Sequence, residues 1–166
     1  VAIADILVES ELSEETDSWG ALATAARAGG MVHTEETVEE IRALAEDMLI
    51  HVTSFFRDAV VFERLKELVF PVILAHKGEE RSIRIWVAGC STGEEVYSIA
   101  IALLEHLGDA SRRYAIQIFG SDASEKAIAT ARAGVYADGA VAEVSAERRR
   151  RFFSKTDHGQ RVNKDV

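Results

Sequence analysis

The stretch IWVAGCSTGEEVYSIAIALL (residues 85–104) runs from an apolar segment through Gly89 and Gly93 into a helical pattern that opens on Glu94 and Glu95. A strand-to-helix turn of this kind ordinarily cradles phosphate on the bare N–H groups of the helix start. Two carboxylates at its mouth repel a pyrophosphate, and the spacing is G-x-x-x-G rather than G-x-G-x-x-G, so a dinucleotide is disfavoured. Gly89 to Gly93 also match G-x-S-x-G, which makes Ser91 a candidate hydrolase nucleophile, with Asp122 or Asp138 and His158 as triad partners. No glycine-rich oxyanion segment precedes the turn, and that reading ranks lower. A phosphatase loop around Cys90 requires Arg where Val96 stands, and Cys90 reads as a small buried residue.

Carboxylates at the turn suit a ligand that is cationic and carries no phosphate. S-adenosylmethionine, with a sulfonium, an ammonium and a ribose diol, meets that description. Glycine lets the backbone approach the nucleoside, a glutamate faces the positive methionine portion, and Asp122, after the next apolar run, is placed to accept the ribose hydroxyls. The plainer alternative makes Glu94 and Glu95 compensation for a helix dipole and Asp122 a cap for the helix that follows. Acids on two consecutive strand ends favour the ligand.

The elements that position these residues follow from periodicity. RSIRIWVAG reads as a buried strand, EEVYSIAIALLEHLG as a helix stopped by Gly108, YAIQIFGSD as a second strand, and SEKAIATARAG as a helix capped by Ser124 and ended by Gly134. A short helix is expected from about 145 to 153. Two strands joined by a crossover helix make a right-handed parallel βαβ unit, with ligands outside the carboxyl ends of the strands. Before it, helices are expected over 17–30, from Thr34 to about Leu49, and over 58–75, the last with Phe62, Leu65, Leu68, Val69, Val72 and Ile73 inside and a break at Pro71. The fold class is therefore α/β: a partial Rossmann-like domain, parallel β-α-β-α, preceded by a small helical region. The boundaries read as a helical region at 1–50, a connecting segment and helix at 51–82, and an incomplete ligand-binding domain at 83–166.

Composition narrows the function classes. The chain has 166 residues and a net charge of −9, which disfavours nucleic acid as a partner. Its single cysteine fits a reducing, cytoplasmic setting, and the absence of an 18-residue apolar run predicts no membrane insertion. Four arginines, 148–151, form the one basic cluster noted, readable as a solvated helix face or a dock for acidic helices.

TSFFRD (53–58), IRIWVAGCSTGEEVYSIAI (83–101), IFGSDASEKAIATARAGVY (118–136) and RRRRFF (148–153) together resemble the chemotaxis-receptor methyltransferases of the CheR type. The resemblance implies a Rossmann-like domain that binds S-adenosyl-L-methionine, leaves S-adenosyl-L-homocysteine, and methylates glutamate side chains on cytoplasmic helices of chemoreceptors. It implies cofactor contacts at Thr53, Arg57, Gly89, Glu95 and Asp122, with Arg57 also in the catalytic site, and no metal. His51 stands where the family often has Asn. The resemblance also implies a fragment: the later strands, the catalytic tyrosine and the receptor-binding β-subdomain are expected to have no counterpart, and the isolated chain to be a poor enzyme. A non-catalytic module that binds S-adenosyl ligands for sensing or as an adaptor is the alternative.

Overall fold

The computed structural model describes Ile41, Leu44, residues 52–75 and residues 81–166. Two compact units divide the chain, and the one that holds His51–Val166 carries the features that follow. The expected helix at 17–30 and most of that at 34–49 lie outside the described residues; Ile41 and Leu44 are helical and exposed.

Strands β1 (Ser82–Ala88) and β2 (Ala115–Ser121) pair in parallel, from Ser82 opposite Ala115 to Ala88 opposite Ser121. The helix α3 (Glu94–Leu107) and a 3-10 turn, Gly108–Arg113, make the crossover between them. Val96, Ala100, Leu103 and Leu107 of α3 are buried with Ile83, Val87 and Ile118 of the strands. Burial of each large aliphatic side chain contributes about 1.5–3 kcal/mol, so this seam is the principal adhesive of the unit. The first strand is not buried on both faces as its apolar run suggested. Burial alternates along it, and Trp86 on the far face is 71% exposed.

Ahead of the sheet, α1 (Ala59–Arg64) and α2 (Phe70–Ala75) are joined without a break by one π-helical turn, Leu65–Val69. The widened turn sits immediately before Pro71, whose ring would clash with a carbonyl in a regular α-helix. It also corrects the expected inner face. One extra residue in the turn carries the buried row from Leu65 to Phe70, leaving Leu68, Val69 and Val72 exposed.

After β2, α4 (Glu125–Ala133) starts on Ser124, whose Oγ accepts from the Ala127 N–H, and ends on left-handed Gly134. The short α5 (Ala146–Phe152) is capped likewise by Ser145. The sequence reading missed what surrounds α5. Strands β3 (Val135–Tyr136), β4 (Phe153–Thr156) and β5 (Gly159–Val162) form an antiparallel sheet in the order β3-β5-β4. That sheet is an addition to the β-α-β-α order read from the sequence. Its strands have only two to four residues, too few to show a period.

Candidate functional site

The site is built where β1 and β2 end. Gly89 has φ +68, and a Cβ added to it would meet nothing within 4 Å, so the backbone at this point borders open space. Gly93 is glycine for a different reason. Its φ is +93 and an added Cβ would lie 2.7 Å from the Ala131 Cβ, so a side chain here would push α3 and α4 apart. Between them Ser91 is left-handed, φ +48. Its backbone N–H donates to Asp122 Oδ2 at 2.7 Å, and the Ser124 N–H donates to Oδ1 of the same carboxylate at 2.9 Å. Asp122 thus stitches the two strand-end turns together. Each of its oxygens keeps a second lone pair, and the side chain is only partly buried.

Glu95 is exposed in the first turn of α3, and Glu94 beside it is buried. Thr92 Oγ1 donates to Glu94 Oε2 at 2.6 Å. Cys90 lies buried among the three acids. Burial first and then the charge of Asp122 push its thiol from 9.0 to about 11, against an opposing backbone hydrogen bond, with Glu95 and Glu94 adding lesser pushes upward. A thiol in that state is neither a nucleophile nor a metal ligand near neutral pH. Among the described residues, no group of three or more His, Cys, Asp and Glu side chains is placed to hold a metal.

The segment 52–58 folds against α3. Phe55 is buried, edge-on to Tyr136 at 4.9 Å and to Phe153 at 5.3 Å. The Phe56 N–H donates to Ser98 Oγ at 2.9 Å, and the Phe56 ring is edge-on to Phe62. Phe56 and Asp58 are left-handed, φ +53 and +58, a state that costs roughly 1–3 kcal/mol per non-glycine residue and persists only where surroundings impose it. Tyr136 ties the turn to this segment, its hydroxyl donating to the Thr92 carbonyl at 2.8 Å. Burial first, and then neighbouring Tyr97 and Glu94, raise that phenol far above its ordinary value and keep it a donor.

A family model described as "CheR methyltransferase, SAM binding domain" matches residues 51–166. The chain belongs to the CheR methyltransferase family. It is 37% identical over 115 residues to an uncharacterised 104.1 kDa protein of Rhodobacter capsulatus, covering 69% of this chain and 12% of that one. It is 35% identical over 119 residues to a probable chemotaxis protein methyltransferase of Rhizobium etli, covering 69% and 44%. It is 33% identical over 120 residues to chemotaxis protein methyltransferase 1 of Pseudomonas aeruginosa, covering 70% and 43%. The chain therefore spans less than half the length of these relatives.

The cofactor of a CheR domain is S-adenosyl-L-methionine, and the residues present fit it. Asp122 is held by two backbone amides with acceptor capacity left for a diol, and the backbone at Gly89 lies open to approach. Of the residues expected from the family, Asp122, Gly89 and Glu95 gather at the ends of β1 and β2, where Asp122 and Glu95 act together on Cys90. Thr53 lines a cavity of about 390 Å³ that reaches Glu94 of the same turn, with Ser54, Phe55, Gly139, Ala140, Ala142 and Glu143. Arg57 is exposed, its Nη1 donating to the Val52 carbonyl at 2.7 Å within its own loop rather than to an acid. His158 belongs to the β4–β5 hairpin, its backbone N–H donating to Thr156 Oγ1, and Asp138 accepts from Gln160 Nε2, so these bonds are not the acid-to-histidine and histidine-to-serine pair that a triad requires.

The basic cluster needs correction. Arg148 is not part of an open basic face: it makes paired hydrogen bonds of 2.7 and 2.8 Å to Glu105, and its guanidinium lies 3.9 Å from the Phe56 ring centroid. Arg149, Arg150 and Arg151 remain exposed. Ser98 and Tyr136 are site-supporting residues that sequence reasoning passed over. Ser98 carried a signal, as a lone small polar residue within the apolar run VYSIAIALL.

Proposed function

We propose that this domain takes part in methyl transfer from S-adenosyl-L-methionine to glutamate side chains on cytoplasmic helices of chemoreceptors, giving γ-glutamyl methyl esters. The observation that carries the reading is Asp122: a carboxylate oriented by backbone amides from both strand-end turns, beside an open glycine backbone. The cofactor, when bound, supplies an activated methyl group. The residues of this chain bind and orient. Asp122 accepts the ribose hydroxyls, Glu95 faces the methionine ammonium, and Thr53 gives a polar contact from the folded-back segment. Arg57, on an exposed loop, is free to turn from the Val52 carbonyl to a carboxylate and align it by paired hydrogen bonds. Catalysis of this kind rests on positioning and exclusion of water, with no covalent enzyme intermediate. A cytoplasmic setting follows from such a substrate. Among the described residues, no helix is long and apolar enough to cross a membrane.

The test is calorimetric titration of the full-length protein with S-adenosyl-L-homocysteine. Loss of charge-assisted hydrogen bonds at Asp122→Ala is expected to cost about 1.5–3 kcal/mol, a fall in affinity of about 10- to 100-fold. A folded Asp122→Ala variant with unchanged affinity would remove the ribose assignment.

A further inference from the structure

We infer that Ser98 is a positioning residue for cofactor binding, holding the 52–58 segment in its working shape from beneath. The inference rests on the cofactor reading given above. Ser98 is completely buried on α3, one helical turn after Glu94. Its hydroxyl donates to the Glu94 carbonyl at 2.6 Å and accepts the Phe56 N–H at 2.9 Å. One oxygen thereby joins the helix turn that bears Glu94 and Glu95 to the segment that bears Thr53 and Arg57.

Phe56 is the residue that needs this restraint. A bulky side chain at φ +53 is a backbone outlier, and such outliers persist only where the surroundings over-determine them. The restraints here are the Ser98 hydroxyl on the Phe56 N–H, Phe62 against the ring edge, and the Arg148 guanidinium against the ring face. The two ring contacts are broad and tolerate small rotations. The hydrogen bond is directional, and at a site closed to solvent no water can replace it. Without it the Phe56 N–H is buried and unpaired, and the cheapest relief is for the backbone at Phe56 to rotate out of the left-handed region. That rotation redirects the chain on both sides, moving Thr53 one way and Arg57 the other.

Tyr97 provides a matched control on the same helix. Its buried hydroxyl donates to the Ala131 carbonyl at 2.7 Å, so it ties α3 to α4 rather than to the 52–58 segment. Both Ser98→Ala and Tyr97→Phe remove one buried hydroxyl. The experiment compares them with wild type and Asp122→Ala in the full-length protein, by titration with S-adenosyl-L-homocysteine and by amide hydrogen exchange without ligand. Ser98→Ala is expected to weaken binding about tenfold, to raise KM for the cofactor, and to speed exchange at the Phe56 amide. Tyr97→Phe is expected to lower the melting temperature and leave affinity unchanged. Ser98→Thr, which keeps the hydroxyl, is expected to recover wild-type affinity. Should Ser98→Ala not fold, Ser98→Cys, whose sulfur accepts weakly, carries the test. A loss of affinity there supports the role and wild-type affinity overturns it. Equal losses of affinity in Ser98→Ala and Tyr97→Phe would reduce Ser98 to a stabilising residue and overturn the inference. A wild-type protein that does not bind the ligand overturns the cofactor reading together with this inference, whereas normal binding by folded Ser98→Ala overturns the inference alone.

Discussion

The carboxyl edge of β1 and β2 and the flank where α5 meets α1 and α3 treat charge in opposite ways. At the sheet edge three acids share one neighbourhood around Cys90, and Ser91 is left-handed without being glycine. Across the flank the charges that meet are paired with opposite ones: Glu105 accepts from both Arg148 and Lys66, and Glu63 from Lys66. There α5 begins on a serine cap, although the neighbouring segment carries left-handed Phe56 and Asp58 and Lys66 lies in the π-helical turn. Gathered like charge lowers stability unless a ligand of opposite charge compensates it, whereas paired charge is self-sufficient. The contrast separates a region shaped for binding from one shaped for holding the unit together.

The contrast can be broken most forcefully at Gly93. Gly93→Ala forces a Cβ to within 2.7 Å of Ala131 at φ +93, and a loss of about 3 kcal/mol is expected in urea unfolding. An unchanged midpoint would mean that α3 and α4 separate freely and that the turn is not rigid.

A smaller effect is expected on the flank, at Glu105→Gln. Burial alone raises Glu105, but the hydrogen bonds from Arg148 and Lys66 outweigh it and hold the carboxyl below its ordinary 4.5. Its folded value is therefore below its unfolded one. The stabilisation is fully present above the unfolded value and is lost as pH falls through the folded one. Glu105→Gln should cost about 1–3 kcal/mol at neutral pH, since a largely buried pair is broken with the two cations left behind. The variant and the wild type should converge on acidification below the ordinary carboxylate range. A difference that persists unchanged to low pH would show that packing, not charge, holds this flank.

The least effect is expected at Glu67→Gln. Its pair with Arg64 is the same in kind, at 3.0 Å, but the side chains are 60% and 67% exposed. Exposed pairs contribute about 0–1 kcal/mol, and this variant should fall at the low end. A loss equal to that of Glu105→Gln would remove burial as the distinction between the two pairs.

Local chemistry in the sequence was enough to determine the βαβ unit, the glycine turn with its acids, and the cap at Ser124. Periodicity, turn residues and cap residues act over a few positions, so their outcome is written in adjacent letters. The order of RSIRIWVAG, EEVYSIAIALL and YAIQIFGSD likewise left a parallel pair as the natural arrangement, and the register follows it. Tertiary structure alone decided the remainder. Arg148 leaves its three neighbours because Glu105, 43 positions earlier, lies within reach of α5 and Phe56 offers a ring face. Phe56 is left-handed because Ser98, 42 positions later, takes its N–H. The π-helical turn moves a buried row by one residue, and the short antiparallel strands acquire their identity only by pairing. In each case the stabilising partner is distant along the chain and near in space, where no pattern of neighbouring residues records it.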